Sequence, residues 1–218
     1  MPELFRGIDE EGRKRIMHDL DGVQYALARG EDLMDRISPG LFLGVVDRGW
    51  INITRTDSGG GRVLLFSAAP GEIFGPYYTR VRRDGTRIVA EKRSRVTLLD
   101  YSLFLSSRKT DEVYAVFNKN LVEMTVALDG RISDRARVLM QRSIRGKLLE
   151  FFRQETGRRG TRSFVMPFTF TFLAEWLSVD RSAMQRELKN LRDDGFVLIK
   201  GKRVTLLDAP DSSVYNRY

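Results

Sequence analysis

Apolar residues along this chain follow three successive rhythms, and each rhythm dictates a different kind of element. In the first twenty residues Leu4, Phe5, Ile8, Ile16, Met17 and Leu20 fall at the spacing of a short helix with one buried face. From Val23 to Leu99 the pattern breaks into the runs VQYALA, LFLGVVDRGWINIT, RVLLFSAA, RIVAEK and RVTLLD. Short β-branched runs of this kind predict an antiparallel roll or sandwich. Turns are expected at Arg29-Gly30, Ser38-Pro39-Gly40, Arg48-Gly49, the Asp57 to Gly61 segment and Ala69-Pro70-Gly71. From Thr110 the period becomes helical. Val113, Phe117, Leu121, Met124, Leu128, Ile132 and Leu139 form one stripe, interrupted only by Gly130. A stripe that narrow on so long a helix predicts packing against a second copy, because the opposite face (Asn118, Lys119, Glu123, Asp129, Arg137) is polar.

Beyond Ser143 the spacing predicts a second helix, IRGKLLEFFRQE, closed by Thr156-Gly157, then a basic loop and a short strand in FVMPF. The segment after it carries the most chemistry: TFTFLAEWLSVDRSAMQRELKNLRDDGFVLIKGKRVTLLD, residues 169–208. Thr169 caps a helix whose inner face is Phe172, Leu173, Trp176 and Leu177. Ser178-Val179-Asp180 makes a tight turn, and a second helix follows from Arg181 to Arg192. That helix buries Ala183, Met184, Leu188 and Leu191 and presents Arg181, Ser182, Gln185, Arg186 and Lys189. A hairpin with the basic tip Lys200-Gly201-Lys202-Arg203 completes a winged helix-turn-helix. Long donors on the first turns of such a helix are what base edges in a major groove require. Arg181, Ser182, Gln185 and Arg186 are therefore the expected base readers. Thr169, Lys189, Lys200, Lys202 and Arg203 are the expected phosphate contacts, which position without discriminating.

Charge supports this placement. The formal net charge is +8 over 218 residues. From Met140 onward there are 15 Lys/Arg against 9 Asp/Glu, whereas the first 139 residues are nearly balanced at 22 against 20. The excess sits where a phosphate-facing module is expected. The absence of cysteine rules out thiolate zinc and cysteine-ligated iron–sulfur sites. His18 is the only histidine, so no metal cluster, catalytic triad or cupin-type metalloenzyme is expected, and the chain is read as a non-enzyme without a required cofactor. Haem through ligands other than histidine stays open. With no signal-like N-terminus and no apolar run of membrane-spanning length, a cytoplasmic location and no membrane partner are expected.

Taken together, roll, long helix and winged helix resemble the Crp/Fnr family of bacterial regulators along nearly the whole chain. The stretch LARGEDLMDRISPGLFLGVVDRGWINI with PGEIFG looks like the cyclic-nucleotide-binding β-roll, and TFTFLAEWLSVDRSAMQRELKNLRDDG resembles the family's DNA-reading unit. The resemblance implies an α+β chain divided into an effector-sensing double-stranded β-helix (1–110), a dimerisation helix (111–140), a winged helix-turn-helix (141–210) and a tail (211–218). It implies a homodimer joined through Val113, Phe117, Leu121, Met124, Leu128 and Ile132. Such a dimer would read a palindromic site on double-stranded DNA, with RNA polymerase as a further partner. An unidentified small effector would contact Gly71, Glu72, Arg82, Arg83, Thr86, Leu128 and Asp129. The family's phosphate-holding Arg-Ser pair is replaced by Asp84-Gly85, and an aspartate there repels a cyclic phosphate, so cyclic AMP is not the expected ligand. A second reading, in which the winged helix docks a protein instead of DNA, also fits these residues.

Overall fold

The computed structural model describes residues 3–38, 40–56, 62–75, 85–106 and 109–207. The chain divides into two compact units, Met1–Asp129 and Gly130–Tyr218. The mixed α+β class expected from the sequence is what the structure shows.

The N-terminal apolar spacing forms two elements, a 3-10 turn at Glu3–Phe5 and helix α1 (Glu10–Asp19). Gly7, at φ +77°, makes the corner between them. Asp9 caps α1 by accepting from Gly12 N at 2.7 Å. Strands β1 (Val23–Leu27), β2 (Phe42–Thr56), β3 (Arg62–Ala68), β4 (Ile73–Phe74) and β5 (Thr86–Asp100) make one antiparallel sheet in the order β1-β5-β2-β3, with β4 also paired to β2. Two expectations change here. Arg48-Gly49 is no turn: β2 runs straight through it, and the register slips around Arg48 and Trp50. Likewise RIVAEK and RVTLLD are one strand. The physical reason is a β-bulge, for which Gly49 supplies φ +100°. A Cβ at Gly49 would lie 2.5 Å from Ser94 Cα, so only glycine lets the two backbones meet.

Adjacent residues of a strand face opposite ways, and β2 uses both faces. Val46, Ile51 and Ile53 point into a cluster with Met34, Ile37, Phe66, Phe74, Ile88 and Val96. Leu43 and Val45 point into a second cluster with Leu4, Phe5, Ile16, Leu20, Tyr114 and Phe117. A short helix α2 (Tyr101–Ser106), which the sequence pattern did not flag, leads to α3 (Glu112–Leu139).

Helix α3 matches the expected length, but its apolar stripe has a different destination. Phe117 and Leu121 are buried in the second cluster, and Val113, Met124 and Leu128 pack against it. Five of the six residues expected at a dimer seam therefore face the chain's own core. Ile132 alone of them is half exposed. The outward face of the same helix carries Val122 and Val126, at 62% and 67% exposure.

The second unit has its own core, built on Leu148, Leu149, Phe151, Phe152, Leu173, Met184, Leu188 and Val204. Helix α4 (Ile144–Arg159) overruns the expected stop at Thr156-Gly157 and ends at Gly160, whose left-handed φ of +60° closes it. Then come β6 (Ser163–Val165), α5 (Phe170–Leu177), α6 (Arg181–Asp193), β7 (Val197–Lys200) and β8 (Arg203–Leu206), with sheet order β6-β8-β7.

Candidate nucleic-acid interface

Local capping fixes the two helices of the C-terminal unit. Thr169 Oγ1 accepts from Phe172 N at 3.1 Å and starts α5, which leaves the hydroxyl proton free to donate outward. Ser178 adopts φ +53°, ending α5 abruptly. Asp180 then accepts from Ala183 N at 2.8 Å and starts α6. Between the caps Val179 packs inward and its amide donates to Ala174 O at 3.0 Å. The turn is thus held at both ends by short-range hydrogen bonds that the sequence itself specifies.

Met184, Leu188 and Leu191 bury one side of α6. Arg181, Ser182, Gln185, Arg186 and Lys189 all lie exposed on the other, as expected. None of their side chains has an ion pair or hydrogen bond among the described residues. Other arginines of this unit contrast with them. Arg145 donates to Glu187 Oε1 at 2.7 Å and to Asp194; its partial burial works against the charge, yet these two carboxylates raise its pKa. Arg158 pairs with Glu155 at 2.6 Å and with Asp134 at 3.3 Å. Acids in this unit neutralise the structural cations and leave the helix face charged.

Strands β7 and β8 form the hairpin, and Gly201 (φ +58°) turns its tip. Lys200, Lys202 and Arg203 are exposed there without acidic partners among the described residues. Lys202 O is fixed by Met166 N at 2.8 Å, so the tip's backbone is anchored while its side chains are free.

The sequence reading missed three features. Between α6 and β7 runs a groove of about 260 Å³ lined by Phe170, Gln185, Leu188, Lys189, Arg192 and Ile199, which adds Arg192 to the cationic rim. Arg135 donates to Trp176 O at 3.2 and 3.3 Å and stacks 5.5 Å over its ring. Lys147 donates to Leu177 O at 3.1 Å. These two cations hold the carbonyl end of α5, where positive charge is favoured. Their sequence distances from α5 hid them from any local pattern.

Residues 136–211 match the family model of the Crp-like helix-turn-helix domain. The chain carries a Crp-like helix-turn-helix on the Crp/Fnr fold. Among solved structures, the chain resembles a variant of CooA from Carboxydothermus hydrogenoformans at TM-score 0.68 and 15% identity, covering 87% of this chain and 85% of that one. It also resembles the c-di-GMP responsive global regulator CLP of Xanthomonas campestris, at TM-score 0.61 and 17% identity over 91% and 99% of the two chains. FixK2 from Bradyrhizobium japonicum gives 0.58 and 16%, over 85% and 92%. No curated protein matches it by sequence.

The expected effector residues are less coherent. Gly71 adopts φ +86° in the turn before β4. Glu72 is half-buried, and its carboxylate accepts from Ala69 N at 2.7 Å, so it stabilises that turn. Thr86 is buried, Asp129 exposed, and Arg82 and Arg83 lie outside the described residues. Leu128 packs against both clusters of the N-terminal unit. Among the described residues there is no group of three or more His, Cys, Asp or Glu side chains able to hold a metal ion, and no helix is long and apolar enough to cross a membrane.

Proposed function

We propose that this Crp/Fnr-type regulator is a homodimer that reads a palindromic DNA site through Arg181, Ser182, Gln185 and Arg186. The observation that carries the reading is the charge on α6 left unneutralised in a unit where Arg137, Arg145, Arg158 and Arg159 are paired. Guanidinium forks at the start of the helix suit guanine O6 and N7, and Gln185 suits adenine. Lys189, Arg192 and the wing cations suit the flanking phosphates, with Phe170, Leu188 and Ile199 as an apolar floor beneath a sugar–phosphate strand.

For the second copy, the outward face of α3 is the favoured contact. Val122 and Val126 lie one turn apart there and remain uncovered. The dimer is thereby assigned to the face opposite the stripe first expected. RNA polymerase remains a proposed partner of a regulator that sits at promoters.

The effector is assigned to the region of Gly71, Glu72, Arg82, Arg83, Thr86, Leu128 and Asp129. Met34, Ile37, Phe66 and Phe74 fill the sheet's inner cluster, so an occupant must sit toward Leu128. Pressure on Leu128 would reach α3 directly. Cyclic AMP is disfavoured by Asp84.

The deciding experiment is operator selection from random duplexes, followed by Arg186→Ala. Because Arg186 has no partner among the described residues, the substitution should leave stability within about 0.5 kcal/mol. It should cost roughly 1–3 kcal/mol of specific binding and relax one base position. Equal loss for all sequences would sink the base-reading assignment, and no selected duplex at low salt would favour the protein-docking reading.

A further inference from the structure

Several cations of the N-terminal unit are paired: Arg6 with Glu3 and Glu123, Arg15 with Asp111, Arg36 with Glu31, Arg87 with Asp32, and Lys109 with Asp19. One cluster that strand pairing brings together is not. At the bulge between β2 and β5, Arg48 stands directly across from Arg95, and Lys92 across from Trp50. Arg48, Lys92, Arg93 and Arg95 are all exposed. None of the four has an acidic partner among the described residues; Lys92 only approaches the Trp50 ring, at 6.0 Å.

Like charges directly opposite each other on paired strands destabilise a sheet. The bulge nevertheless holds them rigidly. Ser94 Oγ accepts from Trp50 N at 3.0 Å and donates to Lys92 O at 2.7 Å. Trp50 Nε1 in turn donates to buried Asn52 at 3.1 Å, fixing the indole beside the cations. A preorganised platform with uncompensated charge is built for an anion.

We propose that this bulge platform docks an acidic peptide segment of a partner protein, with carboxylates on Arg48, Arg93 and Arg95 and an apolar side chain against Trp50. Two features favour a peptide over nucleic acid. Same-face residues of an extended peptide stand two apart, and Arg48 and Trp50 likewise stand two residues apart along β2, each with a cation opposite it. The half-buried indole offers nothing to the phosphate rim of a duplex, whose bases are stacked inside, whereas it can pack under a leucine or tyrosine.

The test exploits the presence of only two tryptophans, Trp50 in this unit and Trp176 in the other. A synthetic twelve-residue peptide alternating Glu with Leu and Tyr is titrated into the full-length ¹⁵N-labelled protein while both indole N–H resonances are followed. Its all-Lys counterpart and a duplex of unrelated sequence serve as competitors. The Trp50 resonance should move saturably with the Glu peptide and stay put with the Lys peptide. The double variant Arg48→Ala/Arg95→Ala should weaken that response by about fivefold or more, while Arg13→Ala/Lys14→Ala leaves it unchanged. The proposal is overturned if Trp50 does not respond, if the double variant responds like wild type, or if the duplex shifts Trp50 more strongly than the peptide. The last outcome would reassign the platform to nucleic acid. Should the double variant fold poorly, Arg93→Glu, at an exposed bulge position, gives the same readout.

Discussion

The wing offers the sharpest quantitative test, because its lysines have no job inside the fold. Lys200 and Lys202 are exposed and without acidic partners among the described residues, and only their backbones are held, Lys200 by pairing with Arg203 and Lys202 by Met166 N. Changing both to alanine should therefore leave folding stability untouched within about 0.5 kcal/mol. If each lysine neutralises one phosphate, the pair removes two contacts per protomer and four per dimer. At about 0.9 per phosphate, the slope of log K against log salt should become shallower by about 3.6. Between 100 and 300 mM KCl, wild type should then lose about 50-fold more affinity than the variant. A monomer would show only half that slope change, and a difference of about sevenfold. Fluorescence anisotropy on a selected duplex and on an unrelated one, across this salt range, measures both. The change should be the same for the two duplexes, since phosphates carry no sequence. An unchanged slope, or a loss confined to the selected duplex, would refute the assignment of the wing to the DNA backbone.

Other expectations follow from particular contacts. Asp180→Ala removes the acceptor for Ala183 N, which should cost about 1 kcal/mol and lower the melting of the C-terminal unit by roughly 4–8 °C, read by calorimetry. Val122→Glu with Val126→Glu changes two exposed positions, so the fold should persist while sedimentation shows half the mass of the wild-type dimer; an unchanged mass would remove α3's outward face as the seam. The α1–α3 junction should titrate at both extremes. The hydrogen bond from Lys109 holds the Asp19 carboxyl below its usual range, so its stabilisation is complete above pH 4 and is lost as pH falls through the lowered value. Burial, then the 3.0 Å bond to Asp19, pushes Tyr114 up to about 12, so its contribution is complete below pH 10 and lost as pH rises through 12. Ultraviolet titration should show a late component that is absent in Tyr114→Phe.

The elements that were legible in the sequence share one property: their determinants are local. Thr169 and Asp180 cap helices that begin within three residues of them, and Met184, Leu188 and Leu191 reveal the buried side of α6 by spacing alone. Where the reading slipped, the deciding partner was distant. Gly49 carries the same φ > 0 in a bulge as it would in a turn, and only Ser94, across the sheet, distinguishes them. Gly157 looked like a helix stop, yet the helix ran on to a glycine three residues later.

Helix α3 shows most clearly what periodicity can and cannot decide. Its spacing correctly announced one apolar stripe, but a stripe is satisfied equally by a second copy and by the chain's own core. Phe117 and Leu121 go to the core because Leu4, Phe5 and Tyr114 supply enough apolar surface to cover them. Asn120 locks that choice by donating to Leu4 O at 3.1 Å and Arg6 O at 2.8 Å, which fixes the rotation of the helix about its axis. With the rotation fixed, Val122 and Val126 must point outward. If the proposed seam runs through Val122 and Val126, its small apolar area lets small pressures on the helix shift it, and Leu128, packed against both clusters, is placed to deliver them.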